Sequence, residues 1–225
     1  MVIGMFIFPD MTQLDFTGPY EVLTKLPGVK VKVVAPSAGP VAVDGGLRIL
    51  PDTTVDNAPS FDVVFVPGGP GVGAVMEDRD LLGFVHEQGL RARYVTSVCT
   101  GALILGAAGL LKGYRATTHW LSLDLLPFFG ATPVPDRVVI DRNRITGGGV
   151  TAGIDFALSL AAEISGPETA QMIQLIMEYN PTPPFASGHP SVADARLVEE
   201  VRKTREVLQR KRAEQAKRVA GWYCG

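Results

Sequence analysis

Short apolar runs alternate with longer stretches of helical period through most of the chain. Val2–Phe8 is continuously apolar, the signature of a strand buried on both faces. Thr17–Leu26 carries a helical pattern, with Thr17 placed to cap it and Pro19 near its start. Val29–Ala35 predicts a second strand, and the alternating, glycine-broken Val41–Leu50 predicts a small hairpin. Asp62–Val66 predicts another buried strand, ended by Pro67-Gly68-Gly69-Pro70-Gly71. Leu81–Ala92 reads as a helix and Tyr94–Val98 as a buried strand. The helix Gly101–Leu111 follows that strand at once. Arg115–Thr118 and Leu121–Phe129 predict a short strand and a helix. Arg137–Ile140 and Arg144–Thr146 flank Asp141-Arg142-Asn143, which suits a hairpin turn. Thr151–Ile164 and Pro167–Glu178 predict two further helices.

Repeated strand–helix units with apolar strands predict an α/β fold, a mostly parallel central sheet sandwiched by helices in a flavodoxin-like manner. Ligands in such sheets sit beyond the carboxyl ends of the strands. Pro9–Gly18, Pro67–Gly73 and Cys99–Gly101 are therefore the loops to search for chemistry. Tyr179–Pro190 breaks any helix and reads as a crossing segment. Ser191–Ala220 beyond it is a charged helix with an apolar line at Leu197, Val198, Val201, Val207 and Leu208. Its basic cluster, Arg210-Lys211-Arg212 and Lys217-Arg218, reads as a solvated face of a terminal or dimer-packing helix.

Composition narrows the function classes. The chain has 225 residues, 46% of them hydrophobic and 20% charged, enough for a full core and too apolar for a disordered chain. The net charge of -2 carries no basic excess, so neither nucleic acid nor an anionic membrane is expected as the main partner. No uncharged apolar run is long enough to span a bilayer. MVIGMFIFPD lacks a basic leader and a cleavage-site pattern, and the expectation is a soluble cytoplasmic protein. The two cysteines, Cys99 and Cys224, lie far apart and do not suggest a disulfide framework.

Cys99 is the most informative residue. A strand runs into it and a small-residue helix begins at once, the logic of a nucleophile elbow. Ser97, rather than glycine, stands two positions before it. A helix N-terminus offers free amides and a dipole that favour the thiolate, the nucleophilic form. The alternative is a buried structural cysteine that packs as a small hydrophobe. Asp15 sits between Leu14 and Phe16 at a strand-to-helix junction, where apolar neighbours would raise its pKa toward that of a general acid. A turn or capping aspartate is the competing reading. Gly69 in the Pro67–Gly73 turn is positioned to offer an oxyanion-type donor, or simply to make a tight turn. Gly149 and Val150, before the helix at Thr151, would line a pocket or allow close packing. His119 raises a Cys–His dyad, with a packing histidine as the equal alternative. His86 reads as a surface residue and His189 as part of the crossing segment. No His/Cys/Asp cluster has metal spacing, so no metal is expected.

At these residues the sequence resembles a known family. FPDMTQLDFTGPYEVL, VFVPGGPGVGAVMED, RYVTSVCTGALILGAAGLLKGYRATTHW and RITGGGVTAGIDFALSLAAE together resemble the ThiJ/PfpI superfamily, related to class I glutamine amidotransferases. The likeness runs over residues 1 to about 185. It implies a catalytic domain at 1–185 and a helical extension at 186–225 that packs on the domain or on a dimer partner. Within the superfamily the motifs look most like those of isocyanide hydratases. Such enzymes add water to an isonitrile to give an N-substituted formamide, without metal or organic cofactor, as homodimers. The resemblance makes Cys99 the nucleophile of a thioimidate route, Asp15 the essential acid, and Thr100 the residue that follows the nucleophile in the hydratases. It puts Gly69 and Gly149 beside the substrate. Val150 stands where the hydratases carry isoleucine. His119 is shared with the amidase-like halves of AraC-type regulators and is left as a second layer behind the site. The alternatives are a glyoxalase, deglycase or amidase on the same scaffold, or a ligand or redox sensor. A regulator of the AraC type would need more chain after the sensor half than is present here.

Overall fold

The fold was read from a computed structural model that describes residues 1–223; Cys224 lies outside the described residues. In chain order the elements are β1 (Val2–Phe6), α1 (Gln13–Leu23), β2 (Lys30–Ala35), β3 (Val41–Ala42), β4 (Arg48–Ile49), β5 (Thr53–Thr54), β6 (Val63–Val66), α2 (Val72–Glu77), α3 (Arg79–Arg91), β7 (Tyr94–Val98), α4 (Gly101–Ala107), β8 (Arg115–Ala116), a 3-10 segment (Trp120–Phe129), β9 (Thr132–Pro133), β10 (Val138–Asp141), β11 (Arg144–Gly147), α5 (Ala152–Ser165), α6 (Pro167–Ile176) and α7 (Ala195–Val219). The main sheet runs β10-β11-β7-β6-β1-β2-β5. Every neighbour is parallel except the β10–β11 hairpin. β6 and β7 are buried along their whole length, as expected of parallel strands covered on both faces. β1 lies between β2 and β6, with Met5 opposite Val33 and Phe65. The carboxyl ends of β1, β6 and β7 therefore come side by side, and the loops leaving them meet.

Several boundaries differ from the sequence reading for physical reasons. α1 begins at Gln13 with Thr12 as its cap, so Asp15 lies in the first turn of the helix and Thr17 and Pro19 lie inside it. Pro19 lacks an amide hydrogen, so it cannot close the bond to the Asp15 carbonyl, which reads as a start signal. Packing overrides that signal: a Cβ on Gly153 of α5 would stand 3.1 Å from the Pro19 ring, and one on Gly18 would stand 3.2 Å from Ile154. α4 stops at Ala107 rather than Leu111, because Gly109 turns the chain at φ +73. Leu121–Phe129 is 3-10 rather than α-helical, and the short helix α2 has no counterpart in the sequence reading.

The C-terminal helix departs most from expectation. Leu197, Val201 and Val207 of the apolar line are exposed, whereas Arg212, Gln215, Ala216 and Val219 are buried. The distal half of α7 lies across α2, α4 and the 3-10 segment. Gly73 permits this approach, since a Cβ there would meet Gln215 Oε1 at 2.1 Å. Gln215 Nε2 donates to Glu77 at 2.8 Å and Arg218 Nε donates to the same carboxylate at 2.9 Å. Two cation–π contacts, Lys217 over Phe128 and Arg79 over Trp222, close the end. The basic cluster is thus not wholly a solvated face: Arg212 points inward. Tyr179–Pro190 has no regular structure and most of it is exposed.

Candidate active site

The turn between β7 and α4 consists of Cys99 and Thr100. Cys99 has φ 56, the left-handed region that a residue other than glycine adopts only under constraint. The constraints are visible. Its amide donates to the carbonyls of Gly147 (3.0 Å) and Gly148 (2.8 Å), and its own carbonyl accepts from Thr118 Oγ1 at 2.8 Å. Gly101 follows because a Cβ there would collide with the Val66 carbonyl at 2.2 Å. The result is the elbow expected from the sequence, with the sulfur held at the sheet edge and only 5% of the residue exposed.

Asp15 is fully buried beneath this turn. The Gly68 amide donates to its Oδ2 at 3.0 Å. The Cys99 thiol lies close enough to this carboxyl group for the two to shift each other's ionisation. Its Oδ1 has no hydrogen bond of standard geometry to any described residue. Burial raises the Asp15 pKa to about 7, against smaller lowering effects of Cys99 and Gly68. Burial also pushes the Cys99 thiol up, and the adjacent Asp15 charge pushes it further; the Thr100 amide and the Arg212 guanidinium act the other way. A thiolate preformed by the helix dipole, expected from the sequence, is therefore not what these surroundings favour. α4 is only seven residues long, and desolvation beside a carboxylate outweighs its N-terminus. Burial raises both Asp15 and Cys99, and the two titrate as a coupled pair.

Gly68 and Gly69 bind the pair together. A Cβ on Gly68 would lie 2.5 Å from the Thr100 amide nitrogen and 2.9 Å from Asp15 Oδ2. Gly69 takes φ +136, and its amide donates to Thr100 Oγ1 at 3.0 Å. That amide is committed to Thr100, so in this arrangement Gly69 fixes the elbow and has no free donor for an oxyanion. Thr100 is buried between the two loops.

Beside the elbow lies a cavity of about 570 Å³ that neither Cys99 nor Asp15 lines. Thr118 and Gly148, the residues that brace the Cys99 backbone, form part of its wall. Trp120, Leu123 and Val150 add apolar surface, and Gly149 lines it beside His119. Arg137, bonded to Asp155 through Nε at 2.7 Å, also lines it. His119 Nδ1 accepts from the Leu121 amide at 3.3 Å and caps the 3-10 segment. Burial, with Arg212 and Arg205 nearby, lowers its pKa to about 4, so the ring is neutral at physiological pH. His119 thus lines the cavity without joining the Cys99–Asp15 pair. His86, read as a surface residue, is half-buried with Nδ1 2.8 Å from the Ala108 carbonyl. His189 is exposed and contacts Ser191 Oγ at 2.7 Å.

Sequence reasoning missed Arg212. Its Nη2 reaches the Gly69 carbonyl at 3.2 Å and its Nη1 reaches Ser122 Oγ at 3.3 Å. Its place in a run of basic residues hid it; only the burial of small residues around it on α7 could have pointed inward.

Comparison with known proteins agrees with this geometry. An isonitrile hydratase of Pseudomonas putida is 55% identical over 218 residues, covering 97% of this chain and 96% of that one. The HTH-type transcriptional regulator GbdR of Pseudomonas aeruginosa is 38% identical over 136 residues, 60% of this chain and 37% of the regulator. The crystal structure of a ThiJ/PfpI family protein from Pseudomonas syringae superposes with a TM-score of 0.93 at 45% identity, covering 98% of this chain and 90% of the other. The sequence profile of the DJ-1/PfpI family matches residues 1–163, a span that holds the whole main sheet, the elbow and the acid beneath it. By its match to the family profile over residues 1–163, and by its likeness to these relatives, this chain belongs to the DJ-1/PfpI family.

Proposed function

We propose that the protein is an enzyme that hydrates isonitriles to N-substituted formamides, with Cys99 as nucleophile and Asp15 as the proton carrier. The observation that carries the site assignment is the closeness of the Cys99 thiol to a fully buried carboxyl group that shifts its ionisation and whose Oδ1 has no hydrogen-bond partner among the described residues. The likeness to the Pseudomonas putida isonitrile hydratase over nearly the whole chain supports the reaction.

The steps follow from the pair. Ionised Asp15 takes the thiol proton as sulfur attacks the terminal carbon of R–N≡C. Protonated Asp15 then delivers that proton to the same carbon, giving the thioimidate R–N=CH–S–Cys99. Water attacks this carbon; one of its protons passes through Asp15 to nitrogen. The tetrahedral adduct R–NH–CH(OH)–S breaks its C–S bond, releasing R–NH–CHO, and its hydroxyl proton restores the thiol through Asp15. A pKa near 7 lets one carboxyl both accept and return protons. Thr100 and Gly69 hold the elbow, while Val150 and Gly149 line the space for R. No cofactor is needed for any step.

The protein is read as a homodimer in the cytoplasm, where a reactive thiol stays reduced. Met172, Leu175 and Ile176 on α6 and Phe185 beyond it are exposed, an apolar surface suited to a second copy. Sedimentation showing a monomer at micromolar concentration would remove that claim. For the activity, purified protein is incubated with small aliphatic and aromatic isonitriles, with methylglyoxal in parallel. Formamide formation is expected; turnover of methylglyoxal alone would favour a glyoxalase instead.

A further inference from the structure

We infer that Arg212 is a positioning residue for this chemistry: it braces the Gly68–Gly69 turn and sets a positive charge against the negative charge exchanged between Cys99 and Asp15. The inference rests on the hydratase reading above.

Arg212 lies beyond the residues matched by the family profile, in a helix that the main sheet does not require. Yet it is 5% exposed, and among the described residues no carboxylate stands within ion-pair distance of it. Glu77, the acid that ties α7 down, is engaged by Gln215 and Arg218 instead. Burying an unpaired guanidinium is costly, and an apolar side chain would fill the same space without that cost. What the guanidinium does touch is the back of the catalytic turn. Its Nη2 holds the Gly69 carbonyl; the Gly69 amide holds Thr100 Oγ1; the Gly68 amide holds Asp15 Oδ2. One side chain therefore holds the far end of Gly69, the residue whose own amide reaches Thr100 and whose preceding neighbour's amide reaches Asp15.

The charge also reaches the sulfur. Burial pushes the Cys99 thiol up most; of the charges that act on it, Asp15 from α1 raises it further and Arg212 from α7 lowers it. Arg212 also acts on His119, with Arg205, in keeping that ring neutral. When the thiol proton leaves and sulfur becomes the nucleophile or the leaving group, Arg212 is the buried cation that offsets the charge.

The test uses the full chain with Cys224→Ser, so that Cys99 alone reacts with iodoacetamide, and follows alkylation rate against pH. Arg212→Gln keeps two donors and removes the charge. It is expected to slow alkylation about tenfold or more below the thiol pKa, because one opposing charge at close range is worth about one pKa unit or more. The hydration rate should fall mainly in kcat rather than through KM. Arg212→Lys, which keeps the charge, should recover most of the loss. Gln209→Glu provides a second route: Gln209 lies beside Arg212 Nη1 and Ser122, and a carboxylate there would pair the guanidinium in place. It should slow alkylation in the same direction, and it decides the matter if Arg212→Gln does not fold. A purely structural arginine would lower the melting temperature in both Arg212 variants and leave the alkylation profile where it was; that result overturns the inference. A parent protein that hydrates no isonitrile overturns the hydratase reading instead, whatever the alkylation rates show.

Discussion

Asp15 holds the Gly68 amide with Oδ2 at 3.0 Å and turns the same carboxyl group to the Cys99 thiol, with no exposure to bulk solvent. Burial makes both groups harder to ionise, and a charge on Asp15 makes the thiol harder still. The pH dependence of the enzyme follows from that coupling. With Asp15 near 7, its ionised form is lost as pH falls, and with it the acceptor for the thiol proton. kcat/KM is expected to rise from pH 5 to pH 8 along a limb with a midpoint near 7, a value that belongs to the pair rather than to either residue. A flat profile over this range would contradict the assignment.

Asp15→Asn should separate activity from stability. The amide keeps an acceptor for Gly68 but can neither take up nor give back a proton, so kcat is expected to drop by about 10²–10⁴. Stability moves the other way. The folded-state pKa of Asp15 is raised from 3.8 to about 7, so the native state holds its proton more tightly than the unfolded chain does. Its contribution is fully present below about pH 4 and declines as pH rises to 7. Relative to the parent, Asp15→Asn should therefore gain stability toward pH 8, up to about 4 kcal/mol, and gain little at pH 4. Thermal melts of both proteins at the two pH values measure the difference.

The sheet was legible because the strands are continuously apolar and short, a pattern that survives any packing detail. Tyr94–Val98 coincides with β7, and the Asp141–Asn143 turn joins β10 and β11 as the sequence suggests. The elbow was legible because strand, cysteine and helix adjoin in sequence. Asp15 was legible only as a candidate: its helix start is set by the contacts of Gly18 and Pro19 with α5, which no local pattern records. The surroundings of Cys99 were only half legible: a helix N-terminus is visible in sequence, whereas the burial that pushes the thiol up is not. Arg212 was hidden for the same reason. Periodicity ranks positions on a helix by hydrophobicity, and here an arginine turns inward while valines stay outside.

Trapping tests the thioimidate route directly. The thioimidate R–N=CH–S–Cys99 is the sum of the thiol and the isonitrile, so protein quenched during turnover should carry Cys99 heavier by the full mass of the isonitrile. Mass spectrometry of the quenched protein reads the added mass. Rapid formamide production with no adduct on Cys99, at any quench time, would rule out the covalent route.

His119 is close enough to line the cavity and is not part of the pair. His119→Asn keeps an acceptor for the Leu121 amide that caps the 3-10 segment. The change is expected to be felt chiefly in KM, with kcat/KM falling by less than about tenfold and the acid limb staying at the same pH. A Cys–His dyad would instead demand a loss of about 10²–10⁴ in kcat.

Gly68→Ala places a methyl group where the site has no room. The new carbon would meet the Thr100 amide nitrogen at 2.5 Å, Thr100 Oγ1 at 2.6 Å and Asp15 Oδ2 at 2.9 Å. The first of these is backbone, and Asp15 is enclosed, so neither can swing aside as a surface side chain would. Relief requires the Pro67–Gly71 turn to lift away from the elbow, breaking the Gly68–Asp15 and Gly69–Thr100 hydrogen bonds. The expected cost is about 1–3 kcal/mol of stability, the usual range for overpacking a filled interior. Activity should suffer more than stability, because the acid and the sulfur are displaced from each other and a misplacement of about 1 Å is worth about 10²-fold in rate. The measurement is kcat on a simple isonitrile beside a thermal melt of the same preparation. A variant that melts lower yet turns over at the parent rate would show that the Gly68 contact holds the fold and not the chemistry.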